Sequence, residues 1–150
     1  MPPGSTDKSM SEPLQFHYDV AGGDFSSAEE ASVQVKKLLR KMGFPPELIR
    51  RISIAMYEGE INMVIHARGG QADVTVYRDR IEIVLTDHGP GIADIALAMQ
   101  EGYSTAPDTV HMLGFGAGMG LPNMKRYTDE MEIESTVGVG TTIRMTVLVK

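Results

Sequence analysis

Two pairs of strand-like segments are each joined by too few residues to form anything but a hairpin. ADVTVYR and RIEIVLTD, which end at Asp87, share a tight turn near Asp79, while MEIEST and TTIRMTVLVK are separated only by VGVG. A parallel pairing needs a crossover of about a dozen residues or more, so both pairs are antiparallel. A further strand-like segment, Leu14 to Val20, alternates Leu14, Phe16, Tyr18 and Val20 on one face, the pattern of a half-buried strand.

Helices fill the gaps. SSAEEASVQVKKLLRKMG opens with Ser27 as N-cap and Glu30 three residues later, and closes at Gly43. A second helix starts at Pro45-Pro46, runs through Arg50 to about Ala67 and is stopped by Gly69-Gly70. IADIALAMQEG reads as a short helix, Tyr103 to Met119 as an irregular glycine-rich stretch, and LPNMKRYTDE as a last helix. The order strand, two helices, two strands, helix and loop, helix, two strands predicts an α+β sandwich: helices packed on one face of a mixed, largely antiparallel sheet. Met1 to Pro13 is rich in Pro, Ser and Gly and reads as a flexible tail before one domain spanning residues 14–150.

Composition narrows the function. A chain of 150 residues with 42% hydrophobic and 23% charged residues suits one soluble domain with a single core. No apolar run approaches the roughly 18 residues of a membrane span and no signal peptide is visible, so the expectation is a cytoplasmic protein without membrane contact. The absence of cysteine excludes disulfides, a thiol nucleophile and cysteine-type zinc sites. A net charge of −6 argues against a nucleic-acid partner. The cluster Lys36, Lys37, Arg40 and Lys41 reads as the solvated face of the first long helix.

Three motifs follow in order. In MYEGEINMVIHA, Glu58 and Asn62 lie four residues apart, one turn of helix, on the stripe that also carries Ile54, Ile61 and Ile65. A carboxylate on such a stripe needs a partner, which is either Arg51 or His66 in a structural role or a ligand in a functional one. Gly59 within this turn suits a close approach, and Glu60 points away from the pair and reads as solvated. The second motif is DHGPG, Asp87 to Gly91, directly after a strand: a carboxylate able to accept from a purine amino group, with Gly89 and Gly91 admitting a flat ring. The third is GFGAGMGL, with Gly114, Gly116, Gly118 and Gly120 leading into a helix, where backbone N–H groups are suited to phosphate. An Asn oxygen suits magnesium, and an adjacent Glu suits accepting a proton from an attacking hydroxyl.

Together these motifs resemble the ATP-binding domain shared by DNA gyrase, heat-shock chaperones, histidine kinases and mismatch-repair ATPases. Within it, the stretches NMVIHA, EGYST, GMGLPNMKRYTDEMEIES and GVGTTI resemble the bacterial anti-sigma-factor serine kinases, most of all the stressosome-type switch kinases. The resemblance implies a Bergerat-type sandwich and a serine/threonine protein kinase. Its cofactors would be ATP and Mg²⁺, with Glu58 as general base and Asn62 as magnesium ligand. It implies a nucleotide site built from Asn62, His66, Asp87, Gly89, Gly91, Gly114, Gly116, Gly118, Met119, Gly120, Leu121 and Thr141, with Thr141 supporting Asp87 through a water and Tyr103 to Met119 forming a lid. His66 also reads as a hydrogen-bonded residue near a helix end. The implied partner is a small regulatory protein of the antagonist or STAS-scaffold type that carries the acceptor Ser or Thr, with a sigma factor or downstream effector beyond it. A nucleotide-gated binding module with little transfer activity, and a detached histidine-kinase catalytic domain, are the competing readings. A homodimer through the edge of strand Leu14 to Val20 is left open.

Overall fold

The computed structural model describes residues 13–22, 29–66, 69–100 and 120–149, with only the backbone of His66. The expected tail up to Glu12, the expected N-cap Ser27 and the glycine-rich stretch up to Met119 lie outside the described residues. Among the described residues there are five strands: β1 Leu14–Ala21, β2 Gly69–Val76, β3 Arg80–Asp87, β4 Glu130–Thr136 and β5 Gly140–Leu148. They form one sheet in the order β1-β2-β3-β5-β4, and all four pairings are antiparallel. The sheet is therefore simpler than the mixed one expected, and the two hairpins account for two of its pairings.

Period-two alternation gives the sheet two unlike faces. Phe16, Val74, Ile83, Met145 and Met131 lie side by side across all five strands, and Tyr18, Ala72, Leu85, Ile143 and Ile133 form the next row. These rows supply the sheet's share of the core. The outward positions carry His17, Asp19, Asp73, Glu132 and Glu134, all exposed or half-buried.

Helices α1 (Glu30–Lys41), α2 (Pro46–His66), α3 (Ile95–Ala98) and α4 (Gly120–Arg126) complete the described elements. With 21 residues, α2 spans about 31 Å and forms the middle of the helical layer, packed against α1 on one side and α4 on the other. Ile52, Ala55, Met56 and Met63 of α2 are buried, as are Val35 and Leu39 of α1 and Met124 of α4. Gly59 allows this closeness. A Cβ there would lie 2.1 Å from Leu85 Cδ1 and 3.4 Å from Met124 Cε, so α2 sits on the sheet where only hydrogen fits.

Three expectations are corrected. Gly69 and Gly70 do not merely stop the helix; they are the first residues of β2. Gly70 lies so near Met63 and β3 that a Cβ would reach within 2.3 Å of Thr86 O. Second, α1 begins at Glu30, with Glu29 at the cap position and no side-chain cap of its own. Third, Glu60 is not solvated: it is 1% exposed. Its Oε2 accepts from Ala31 N at 2.8 Å and its Oε1 from Ser32 N at 2.7 Å. The first-turn N–H groups of a helix have no partner within the helix, and here a carboxylate from the neighbouring helix supplies one. Burial pushes the Glu60 carboxyl above its usual range, against the pull of these two hydrogen bonds. Sequence spacing correctly turned Glu60 away from Glu58, but the far side of α2 faces α1 rather than water.

Candidate nucleotide site

The inward rows of the sheet continue past the apolar residues into a polar one. Val20, Gly70, Asp87, Thr141 and Ser135 lie side by side across the five strands, two residues beyond the Tyr18 row. Asp87 thus faces the helical layer at the end of β3, where the core gives way to a loop. Its Oδ1 accepts from Gly89 N at 2.9 Å and from Thr141 N at 3.2 Å. Thr141 thus reaches Asp87 directly through its backbone N–H. Two N–H donors on one oxygen hold the carboxylate in place, and among the described residues no donor reaches Oδ2.

Ser135, absent from the expected set, holds this corner together. Its Oγ accepts from Ile92 N at 2.7 Å, lies 2.8 Å from Thr141 Oγ1 and donates to Gly140 O at 3.2 Å. Pro90 O accepts from Gly138 N at 2.8 Å, so the DHGPG loop is stitched to the β4–β5 turn at both ends. Two glycines are sterically required. Gly91, with φ 78°, lies against Thr136 O, and Gly140, with φ 149°, against Asp87 O; a Cβ would come to 2.5 and 2.1 Å respectively. Gly89 is half-buried beside Asp87, and His88 points to solvent.

The second half of the site lies between α2 and α4, which run antiparallel. Glu58 is half-buried, and its Oε2 accepts from Asn123 Nδ2 at 2.9 Å. Of the two partners expected from the sequence, Arg51 pairs instead with Asp129 at 3.3 Å, and the side chain of the other, His66, lies outside the described residues. One turn further along α2, the Asn62 amide lies flat on Gly120, the first residue of α4, where a Cβ would come within 2.9 Å of Nδ2 and 3.0 Å of Oδ1. Asn62 Nδ2 also faces Met124 Sδ at 3.9 Å. Leu121 is 8% exposed and belongs to the core, so any contact it makes with a ligand would come from its backbone. Gly114, Gly116, Gly118 and Met119 lie outside the described residues.

The two halves meet over Gly70. That residue pairs with Asp87, and its missing Cβ would lie 2.8 Å from Met63 Sδ, next in sequence to Asn62. A carboxylate set in the floor and a Glu–Asn pair on the overlying helix therefore border one end of the sandwich. The chain between β3 and α4 connects them.

Residues 24–147 match the family model described as histidine kinase-like ATPase domain. The chain belongs to this family. Among its relatives, the serine/threonine-protein kinase RsbT of Bacillus subtilis is 34% identical over 113 residues, 73% of this chain and 79% of that protein. The anti-sigma F factor of Caldanaerobacter subterraneus is 36% identical over 105 residues, 67% of this chain and 70% of that protein. A crystal structure of the RsbU and RsbW domains of a Mycobacterium tuberculosis protein superposes with a TM-score of 0.60 at 18% identity, covering 93% of this chain and 33% of that longer one. This last likeness bears on the fold alone, and it agrees with the sandwich described here.

Of the residues singled out in the sequence, the structure brings Asp87, Gly89, Gly91 and Thr141 into one corner and Glu58, Asn62 and Gly120 into another. Two polar residues escaped the sequence reading. Asn123 stands 65 residues from Glu58, and no local pattern couples them. Ser135 carried a readable signal, because it lies opposite Thr141 once the β4–β5 hairpin register is known.

Proposed function

We propose that this chain is one ATP-binding unit, residues 14–150, and a serine/threonine protein kinase that transfers the γ-phosphoryl group of ATP to a small regulatory protein. The observation that carries the reading is the placement of Glu58 and Asn62 against the first turn of α4, in line with Asp87 in the floor below. In this reading Asp87 Oδ2 accepts from the adenine amino group, and the glycines before α4 lie along the phosphates. The relatives named as a serine/threonine kinase and as anti-sigma factors support it.

The residues fit a magnesium ion. Asn62 Oδ1 is a hard oxygen with no protein donor among the described residues. Nor do the described residues include a group of three or more His, Asp or Glu able to cage a metal. A single side-chain oxygen suits magnesium, which takes its other ligands from phosphates and water. When bound, the ion would neutralise phosphate charge. Glu58 takes the proton of the partner's hydroxyl as that oxygen bonds to the γ-phosphorus; the bond to the β-bridging oxygen breaks and ADP leaves with its electron pair. The partner supplies the acceptor Ser or Thr, and a sigma factor or other effector stands beyond it in the partner-switching scheme.

Calorimetric titration of ATP and ADP with and without Mg²⁺ tests the site, and phosphate transfer by Glu58→Gln tests the chemistry. Magnesium-dependent binding lost in Asn62→Ala, and transfer lost in Glu58→Gln with ATP binding kept, are the expected results. Transfer undiminished in Glu58→Gln removes that residue from the base role. A second reading, a nucleotide-gated module that holds or releases a regulator, is favoured by the relatives named as anti-sigma F factors. Tight ATP binding with no transfer to any partner would select it.

A further inference from the structure

The candidate base is held by a residue that no step of the proposed chemistry uses. Asn123 lies on the face of α4 turned toward α2, one turn beyond Gly120, and donates to Glu58 Oε2 at 2.9 Å. The orientation of its amide is determined from the other side. Arg126 Nη1 lies 3.4 Å from Asn123 Oδ1, so the oxygen is turned to the guanidinium and the nitrogen to the carboxylate. Among the described residues no donor reaches Glu58 Oε1. One oxygen of the carboxylate is therefore tied and the other is available.

We propose that Asn123 is a positioning residue for Glu58. By fixing Oε2 it would hold the carboxylate plane so that Oε1 faces an incoming hydroxyl. The inference rests on the reading of Glu58 as the base. The surroundings give the contact its purpose. Two of the contacts between α4 and α2 are Gly120 on the Asn62 amide and Asn123 on Glu58. These points are three residues apart on α4 and four on α2, so they form one rigid ladder. The first residue of α4 is also the last glycine of the glycine-rich motif. A phosphate that draws on the start of α4 thus acts through one turn of helix on the setting of the base. Without the Asn123 amide, the Glu58 side chain is free to rotate on its half-exposed stem, and a misplaced base loses rate without losing ligand.

The experiment is single-turnover phosphate release from ATP and Mg²⁺ by the full chain, with water as acceptor, alongside calorimetric ATP affinity. The variants are Asn123→Asp, which keeps the shape and removes the donor, Asn123→Leu, Glu58→Gln and both double variants. The expected result is a loss of roughly 10- to 100-fold in rate for each Asn123 variant, with ATP affinity held within about twofold. Neither Asn123 change should lower the rate further once Glu58 is Gln, because the two residues act as one unit.

Wild-type rates in the Asn123 variants, with Glu58→Gln inactive, overturn the inference and leave the base reading intact. Parallel loss of ATP affinity and rate, persisting in the Glu58→Gln background, makes Asn123 a clamp between helices and also overturns it. Unimpaired release by Glu58→Gln removes the base itself, and the inference with it.

Discussion

Glu60 offers a sharp test of how the N-terminal helix is fixed to the rest of the fold. The side chain is 1% exposed, and both oxygens accept from N–H groups at the start of α1. Replacing it by Ala strands two buried donors, each costing about 1–3 kcal/mol. Part of that loss is offset because a desolvated carboxylate is no longer buried, and its burial carries a penalty of its own. The net expectation is a loss of about 2–4 kcal/mol, close to a strong cap counted twice. For a chain of this size that lowers Tm by roughly 4–16 °C. Glu60→Gln keeps one acceptor and turns an NH₂ toward the other N–H, so its loss should be smaller, about 1–2 kcal/mol.

The pH dependence has a definite sign. Because the folded carboxyl titrates above its ordinary 4.5, the native state binds the proton more tightly than the unfolded chain. Its contribution is fully present below the unfolded value and is lost as pH rises through the folded one. The stability difference between wild type and Glu60→Gln should therefore narrow as pH rises above about 4.5, which urea denaturation at a series of pH values would follow. An unchanged Tm in Glu60→Ala refutes the cap. A difference that widens with pH refutes the argument that burial outweighs the two hydrogen bonds.

Two further expectations concern neighbouring features. Gly59→Ala should destabilise by about 1–3 kcal/mol despite a helix-propensity gain of about 1 kcal/mol, because its Cβ would run into Leu85 Cδ1; Leu85→Val in the same chain should restore part of the loss, as thermal unfolding would show. Ser135→Ala leaves Ile92 N and Gly140 O without their acceptor and donor and releases the Thr141 hydroxyl. ATP affinity measured by calorimetry should fall by roughly 5- to 30-fold, the equivalent of about 1–2 kcal/mol, and unchanged affinity would mean that this corner does not border the ligand.

The sequence by itself determined the strands, the hairpins and the order of the elements, because these depend on local spacing. Period-two alternation and a turn too short for a crossover leave one way to pair β2 with β3 and β4 with β5. Glycine-bounded motifs on strand ends and helix starts also marked Asp87, Glu58 and Asn62, since their chemistry is written in residue type and separation along one element. What depended on separate elements meeting was left to the tertiary structure. Glu60 had its direction right and its surroundings wrong, because helical periodicity says which way a side chain points and not whether another helix stands there. Asn123 and Glu58 are 65 residues apart, and only the antiparallel packing of α4 on α2 brings them within a hydrogen bond. Gly59 shows the division most plainly. Its cost to the helix is visible in the sequence, but its reason is a leucine on β3 that arrives only when the sheet and the helical layer close on each other.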